Sequence, residues 1–270
     1  MNLTSSRSIF TPILIGGSLI LLISFAIRST FGLFQIPIAE EFLWARSEFS
    51  LAIAIQNLAW GIGTPIFSAF AEKYGDRKAI TVGLLLYALG VFISSTASSP
   101  EAHQFLNIVI GFGIAGSGFG PILAVVGRSA SPEKRSLALG ITTAAGSAGQ
   151  VVGPPFAAGL LDIMPWSSVF VVFAIISILT IILVPLLKSE PKISKKEVEA
   201  NLTDALKDAF KDPTYTMLFL GFFSCGFQLA FITAHFPAFI AESSSPIIQG
   251  SLISIVCNSV ASLGALSIAL

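Results

Sequence analysis

Hydrophobic runs too long for a soluble core decide what this chain can fold into. Eight stretches, roughly 10–38, 47–72, 77–98, 102–127, 135–161, 166–187, 214–241 and 247–270, are dominated by Leu, Ile, Ala, Gly and Phe. A helix needs about 20 apolar residues to cross the hydrocarbon of a bilayer. A barrel strand needs about ten with alternating polarity, and none of these runs alternates. The expected fold is an all-α membrane protein with eight transmembrane helices. Composition agrees, with 54% hydrophobic and 11% charged residues, against about 25% charged in soluble domains. The net charge of zero gives no reason to expect a nucleic-acid partner. Cys225 and Cys257 lie inside apolar runs and read as small packing residues rather than a disulfide. The first run is too long for a signal peptide, carries Arg28 and lacks an A-x-A cleavage site, so it reads as a retained span.

The loops sort by charge. With the N-terminus inside, the inner segments hold Arg7, then Lys73, Arg77 and Lys78, then Arg128, Lys134 and Arg135, then the lysines between Lys188 and Lys211; the outer loops hold Arg46. Basic residues stay on the cytoplasmic side, so the expected topology places the N-terminus in the cytoplasm of a multi-pass protein, in a bacterial inner membrane. The inner segment 188–213 begins as a polar linker. It then spaces Val198, Leu202, Leu206 and Phe210 four apart, one apolar stripe on a charged helix expected to lie on the membrane surface.

The residues after this linker echo those before it. Ser50-Leu51, Asn57 and Gly63 reappear in order as Ser251-Leu252, Asn258 and Gly264. The seventh and eighth spans thus read as a second copy of the first and second. Parallel repeats of six helices would make twelve spans with a binding site between the halves. The expected organisation is a six-helix bundle over 1–187, a cytoplasmic linker over 188–213, and the first two helices of an incomplete second bundle over 214–270. On this pattern the chain is expected to be part of a longer protein.

Two motifs carry a resemblance. The loop "SAFAEKYGDRKA", Ser68 to Ala79, has a small residue, then an acid–base pair, a glycine and two bases: Ser68, Glu72, Lys73, Gly75, Arg77 and Lys78. It resembles the signature between the second and third helices of the major facilitator superfamily. Ser68 stands for the usual glycine, Glu72 for the usual aspartate, and Asp76 occupies a position that is often basic. The resemblance implies a charge network latching the inner gate, made of Glu72, Lys73, Gly75, Arg77, Arg128 and Arg135, with Glu72 pairing with Arg128 or Arg135. The fifth span, "GSAGQVVGPPFAAG", resembles the family's antiporter-associated pattern through Gly149, Gly153 and Pro154, with Ala157 and Ala158 in place of two glycines. Helix packing and a kink are the better account of those residues. The glycines of "GFGIAGSGFGP" lie within a span with no strand before them, so they read as close packing rather than a phosphate loop. The stretch "FGLFQIPIAEEFLWARSEFSLAIAIQNLAWG" is similar to the branch carrying monocarboxylates and small organic anions, including oxalate/formate-type exchangers.

Arg28 is the one basic residue inside the spans that the loops do not account for, and a charge at the bilayer centre costs about 2.5–3.5 kcal/mol. At 1.5 Å per residue, Arg28, Asn57 and Gln150 lie at similar depth, about 5 Å outward of the midplane. Gln35, seven residues beyond Arg28, would share its face. An arginine with amide neighbours and no intramembrane carboxylate outlines an anion site: the guanidinium binds a carboxylate bidentately and the amides add polar contacts. Arg28, Asn57, Gln150 and Gln35 are therefore the candidate substrate contacts. No metal-ligand cluster, nucleophile motif or phosphate loop appears, and His103 and His235 are far apart in sequence, so no enzyme activity, metal or cofactor is expected. The expected function is secondary transport of a small organic anion, with a coupling ion or exchanged anion and the lipid bilayer as partners. A membrane sensor that kept a transporter-like bundle is the competing reading.

Overall fold

A computed structural model describes residues 10–187 and 208–242; the remaining linker residues and the eighth expected span lie outside them. The first span is made of α1 (Pro12–Arg28), a 3-10 turn (Phe31–Phe34) and α2 (Gln35–Phe42). Then come α3 (Arg46–Tyr74), α4 (Asp76–Ser94), α5 (Pro100–Ser117), α6 (Phe119–Ser129), α7 (Arg135–Leu161) and α8 (Trp166–Thr180), which runs into a second 3-10 segment (Ile181–Leu186). The last described helix is α9 (Pro213–Glu242). There is no strand among the described residues. The seven expected spans that fall on described residues are all helical.

Local sequence sets the helix ends. Thr11 and Ser99 cap α1 and α5 by accepting from Leu14 N and Ala102 N, and in each case proline follows at the first helical position. Gly75 makes the single-residue turn from α3 to α4 with φ +99°, a conformation that a side chain would strain. Among the described residues, six helical stretches are long and apolar enough to cross a membrane. The helix α7 has the length, at 27 residues, but its glycines, hydroxyls and Gln150 dilute its hydropathy.

The bundle is inverted relative to a soluble protein. Leu58, Ile62 and Ile66 on α3, Leu85, Leu89 and Phe92 on α4, Ile175 and Ile178 on α8, and Ile182 in the second 3-10 segment point outward. Arg28, Gln35, Gln56, Asn107, Thr142 and Gln150 point inward. Such an outer surface suits acyl chains and not water.

The first span differs from the continuous helix expected over 10–38. Pro37 has no N–H to give the Leu33 carbonyl, and its ring crowds that carbonyl, so the chain tightens to a 3-10 turn just upstream. The hydroxyls of Ser29 and Thr30 fold back on Ala26 O and Ile27 O, at 2.9 and 2.7 Å, and satisfy carbonyls near the break.

Close backbone approach ties α1 to α7. A Cβ on Gly149 would sit 2.1 Å from Leu22 O, and one on Gly153 would sit 2.1 Å from Ala26 O. In α5, a Cβ on Gly111 would meet Gln56 O and one on Gly113 would meet Tyr87 N, both at 2.4 Å. The helix α7 continues through Pro154 and Pro155, which remove ladder hydrogen bonds without ending it. Gly149→Ala or Gly153→Ala should push α1 from α7 at a cost of about 1–3 kcal/mol, lowering the unfolding midpoint in detergent by roughly 2–12 °C. Gly159→Ala, with nothing within 4 Å of its Cβ, should not lower it. Equal midpoints for all three variants would contradict this packing.

Candidate functional site

The break in the first span leaves Arg28 as the last residue of α1, buried inside the bundle with 7% of its surface exposed. The C-terminal end of a helix favours a cation, which accounts for part of its tolerance there. Its Nη2 donates to Asn57 Oδ1 at 2.8 Å. Asn57 Nδ2 in turn donates to Ile53 O at 2.9 Å, so the amide is held at both ends. The guanidinium carbon lies 4.6 Å from the Trp60 ring centroid and 5.9 Å from that of Phe25. Among the described residues its Nε is buried with no acceptor, and no carboxylate pairs with it. Among the described residues, one amide, two aromatic rings and the end of α1 are what surrounds this charge.

The other two candidates do not join this cluster. Gln150 is buried on α7 with Oε1 unpartnered, and no hydrogen bond links it to Arg28 among the described residues. Gln35 opens α2, and its Nε2 donates to Ser50 Oγ at 3.1 Å and Arg46 O at 3.4 Å, joining α2 to the start of α3. Counting seven residues along one helix placed it on the face of Arg28, but the 3-10 turn interrupts that helix.

Aromatic rings surround the guanidinium. Phe25 meets Trp60 edge-on at 5.7 Å and Phe119, the first residue of α6, at 4.4 Å. Reading by residue type missed Trp60; the signal available was its spacing of three from Asn57 on a helical face. It also missed the α3–α5 seam beside the site, where Gln56 Nε2 donates to Asn107 Oδ1 at 2.9 Å and Asn107 Nδ2 to His103 O at 2.8 Å. His103 is buried against the Phe49 ring, while His235 is exposed on α9 beside Phe231.

At the basic end of the bundle, the expected pairing of Glu72 with Arg128 or Arg135 is replaced. Arg128 Nη2 donates to Asp76 Oδ1, and Asp76 is 2% exposed at the start of α4. Glu72 is exposed and makes no ion pair among the described residues. Asp76 stands where the motif often has a base, so a basic partner across from it was the available signal. Arg77 donates through Nε to Leu187 O at 3.1 Å and through Nη2 to Pro185 O at 2.5 Å, capping the carbonyls that end the sixth span. Lys73 lies 5.3 Å from the Tyr74 ring centroid, and Arg135 opens α7.

Solved structures share this fold, and sequence relatives extend over much of the chain. A bacterial homologue of the human lysosomal transporter Spinster, in an inward-facing unoccupied conformation, superposes with a TM-score of 0.69 at 18% identity over 94% of this chain and 60% of that one. Monocarboxylate transporter 13 of Bos taurus is 28% identical over 158 residues, 57% of this chain and 36% of its own length. A probable L-galactonate transporter of Escherichia coli K12 is 24% identical over 157 residues, 58% of this chain and 34% of its own length. This chain thus spans about a third of either relative. The family model of the Major Facilitator Superfamily matches residues 17–270. The chain therefore belongs to the Major Facilitator Superfamily, in keeping with its helical bundle, apolar outer face and the loop after α3.

Proposed function

We propose that the protein moves a small organic anion, a monocarboxylate, across the membrane by alternating access, with Arg28 as the charge that holds it. The carrying observation is the guanidinium itself: buried, one hydrogen bond short at Nε, and without a carboxylate among the described residues. A charge-assisted hydrogen bond contributes about 1.5–3 kcal/mol and a desolvated cation–π contact about 2. Taking an ion out of water costs several kcal/mol. The protein's own contacts therefore leave room for a counter-ion, and a substrate carboxylate supplies it bidentately. Asn57 aims the guanidinium; Gln150, outside the cluster with Oε1 unpartnered, would be a lesser contact once substrate is bound, and Gln35 holds α2 to α3 instead. The printed names of the two relatives, a monocarboxylate transporter and a probable L-galactonate transporter, support a carboxylate cargo. A coupling ion or exchanged anion would accompany it. In this reading residues 1–187 form one bundle, 188–213 a cytoplasmic linker and 214–270 the start of a second bundle, with the N-terminus inside an inner membrane.

The basic-end contacts act as the gate latch: Arg128 with Asp76, Arg77 on the sixth-span carbonyls, Gly75 in the turn, and Glu72, Lys73 and Arg135 around them. Removing Arg128 leaves the Asp76 carboxylate buried and uncompensated, and swapping the two charges restores an opposite-sign pair. Asp76→Arg or Arg128→Asp alone should lower the uptake rate at least tenfold, and the double variant should recover most of it. Failure of the double variant to exceed either single one would remove this pair from the gate.

For the anion itself, uptake of radiolabelled pyruvate by the full-length protein in proteoliposomes is the test. Arg28→Lys keeps the charge but loses the planar fork, so KM should rise. Arg28→Ala should weaken binding about a hundredfold or more, with membrane levels unchanged. Unchanged KM in Arg28→Ala would overturn the reading.

A further inference from the structure

Three helices meet beside the break in the first span without closing on one another. A hollow of about 150 Å3 lies between them, lined by Ile27 and Thr30 at the end of the first span's helix and its break, by Gly153 and Phe156 of α7, and by Phe173 and Ile176 of α8, among others. We propose that this hollow is a binding site for one acyl chain of a membrane lipid, which enters from the bilayer side. The inference is independent of the anion assigned to Arg28.

The walls suit hydrocarbon and not water. Thr30 carries the one polar side chain among the lining residues, and its hydroxyl donates to Ile27 O at 2.7 Å. A buried water needs several polar partners, whereas a cavity of this size lined by Leu, Ile and Phe stays dry and takes up a small hydrocarbon. Left empty, the hollow would forfeit the dispersion contacts of its lining. The helices cannot simply close it. Gly153 is already in backbone contact with α1, where a Cβ would stand 2.1 Å from Ala26 O, so α7 has no room to move further onto α1.

The position of the mouth decides the occupant. At the rim Phe156 is 47% exposed, and Ile175 and Leu179, which flank Ile176 along α8, are exposed as well. The hollow is therefore continuous with the apolar outer surface of the bundle, at the depth of spanning helices where the surrounding medium is acyl chains. A chain lodged there rests on Ile27 and Thr30, beside the interrupted helix ladder.

Phe173 separates a lodged chain from ordinary lipid contact, because it lines the hollow yet is only 1% exposed. The probe is phosphatidylcholine with a diazirine midway along one acyl chain, photolysed in bilayer nanodiscs that hold the full-length protein, with labelled residues read by mass spectrometry. Phe173 should be labelled within about threefold of the outward-facing Ile178, while Phe170, one turn earlier on α8, fully buried and away from the hollow, should stay unlabelled. Ile176→Trp, which fills the space, should cut Phe173 labelling roughly fivefold or more and leave Ile178 unchanged. If that variant does not fold, the contrast between Phe173 and Phe170 in the unaltered protein decides alone. Labelling of Phe173 as low as that of Phe170 would overturn the proposal; if Phe156 is unlabelled too, a helix of the second bundle covers the mouth instead. Labelling of Phe173 that persists at full strength in a folded Ile176→Trp would overturn it as well.

Discussion

Hydrocarbon offers no hydrogen bonds, so a chain inside it must satisfy every backbone polar group from within. Most of this bundle meets that demand with uninterrupted helices. The first span meets it while breaking its ladder between Arg28 and Gln35, with Ser29 and Thr30 returning their hydroxyls to carbonyls of α1. That repair lets a helix end at depth, and a helix C-terminus is a place where a cation is tolerated. The positions of Arg28, of the aromatic rings beside it and of Asn57 all follow from this break.

A second constraint is close helix contact without a hydrophobic driving force. The glycines of α5 and α7 let the backbones of α3, α4 and α1 come within contact distance, so α1 is seated firmly against α7 where its ladder is about to fail. Rigidity of α1 against α7 is what allows the charge at its end to be aimed. Gly149 and Gly153 of α7 matched an antiporter-associated pattern in the sequence, and their geometry shows a packing role against α1.

Span positions were legible because hydropathy accumulates over about 20 residues and tolerates local irregularity. Arg28 was legible because a charge in such a run has few explanations. The break was not, since Pro37 acts on a carbonyl four residues back while leaving the run as apolar as before. Gln35 was misplaced for that reason: helical counting across a 3-10 turn rotates every later residue. In the loop after α3, motif position pointed to Glu72, yet burial gives the pairing to Asp76, whose departure from the usual base was visible beforehand. Trp60 escaped notice because stacking across two helices depends on how they cross, which spacing along one chain does not encode.

The central claim is that an organic anion completes the hydrogen bonding of a guanidinium the protein leaves unfinished. The most direct measurement is the Nε–H resonance of Arg28 in 15N-arginine-labelled full-length protein, assigned by its disappearance in Arg28→Lys. Titration with pyruvate should move this resonance downfield and saturate at the concentrations that saturate uptake. A resonance that stays in place while uptake saturates would contradict the account.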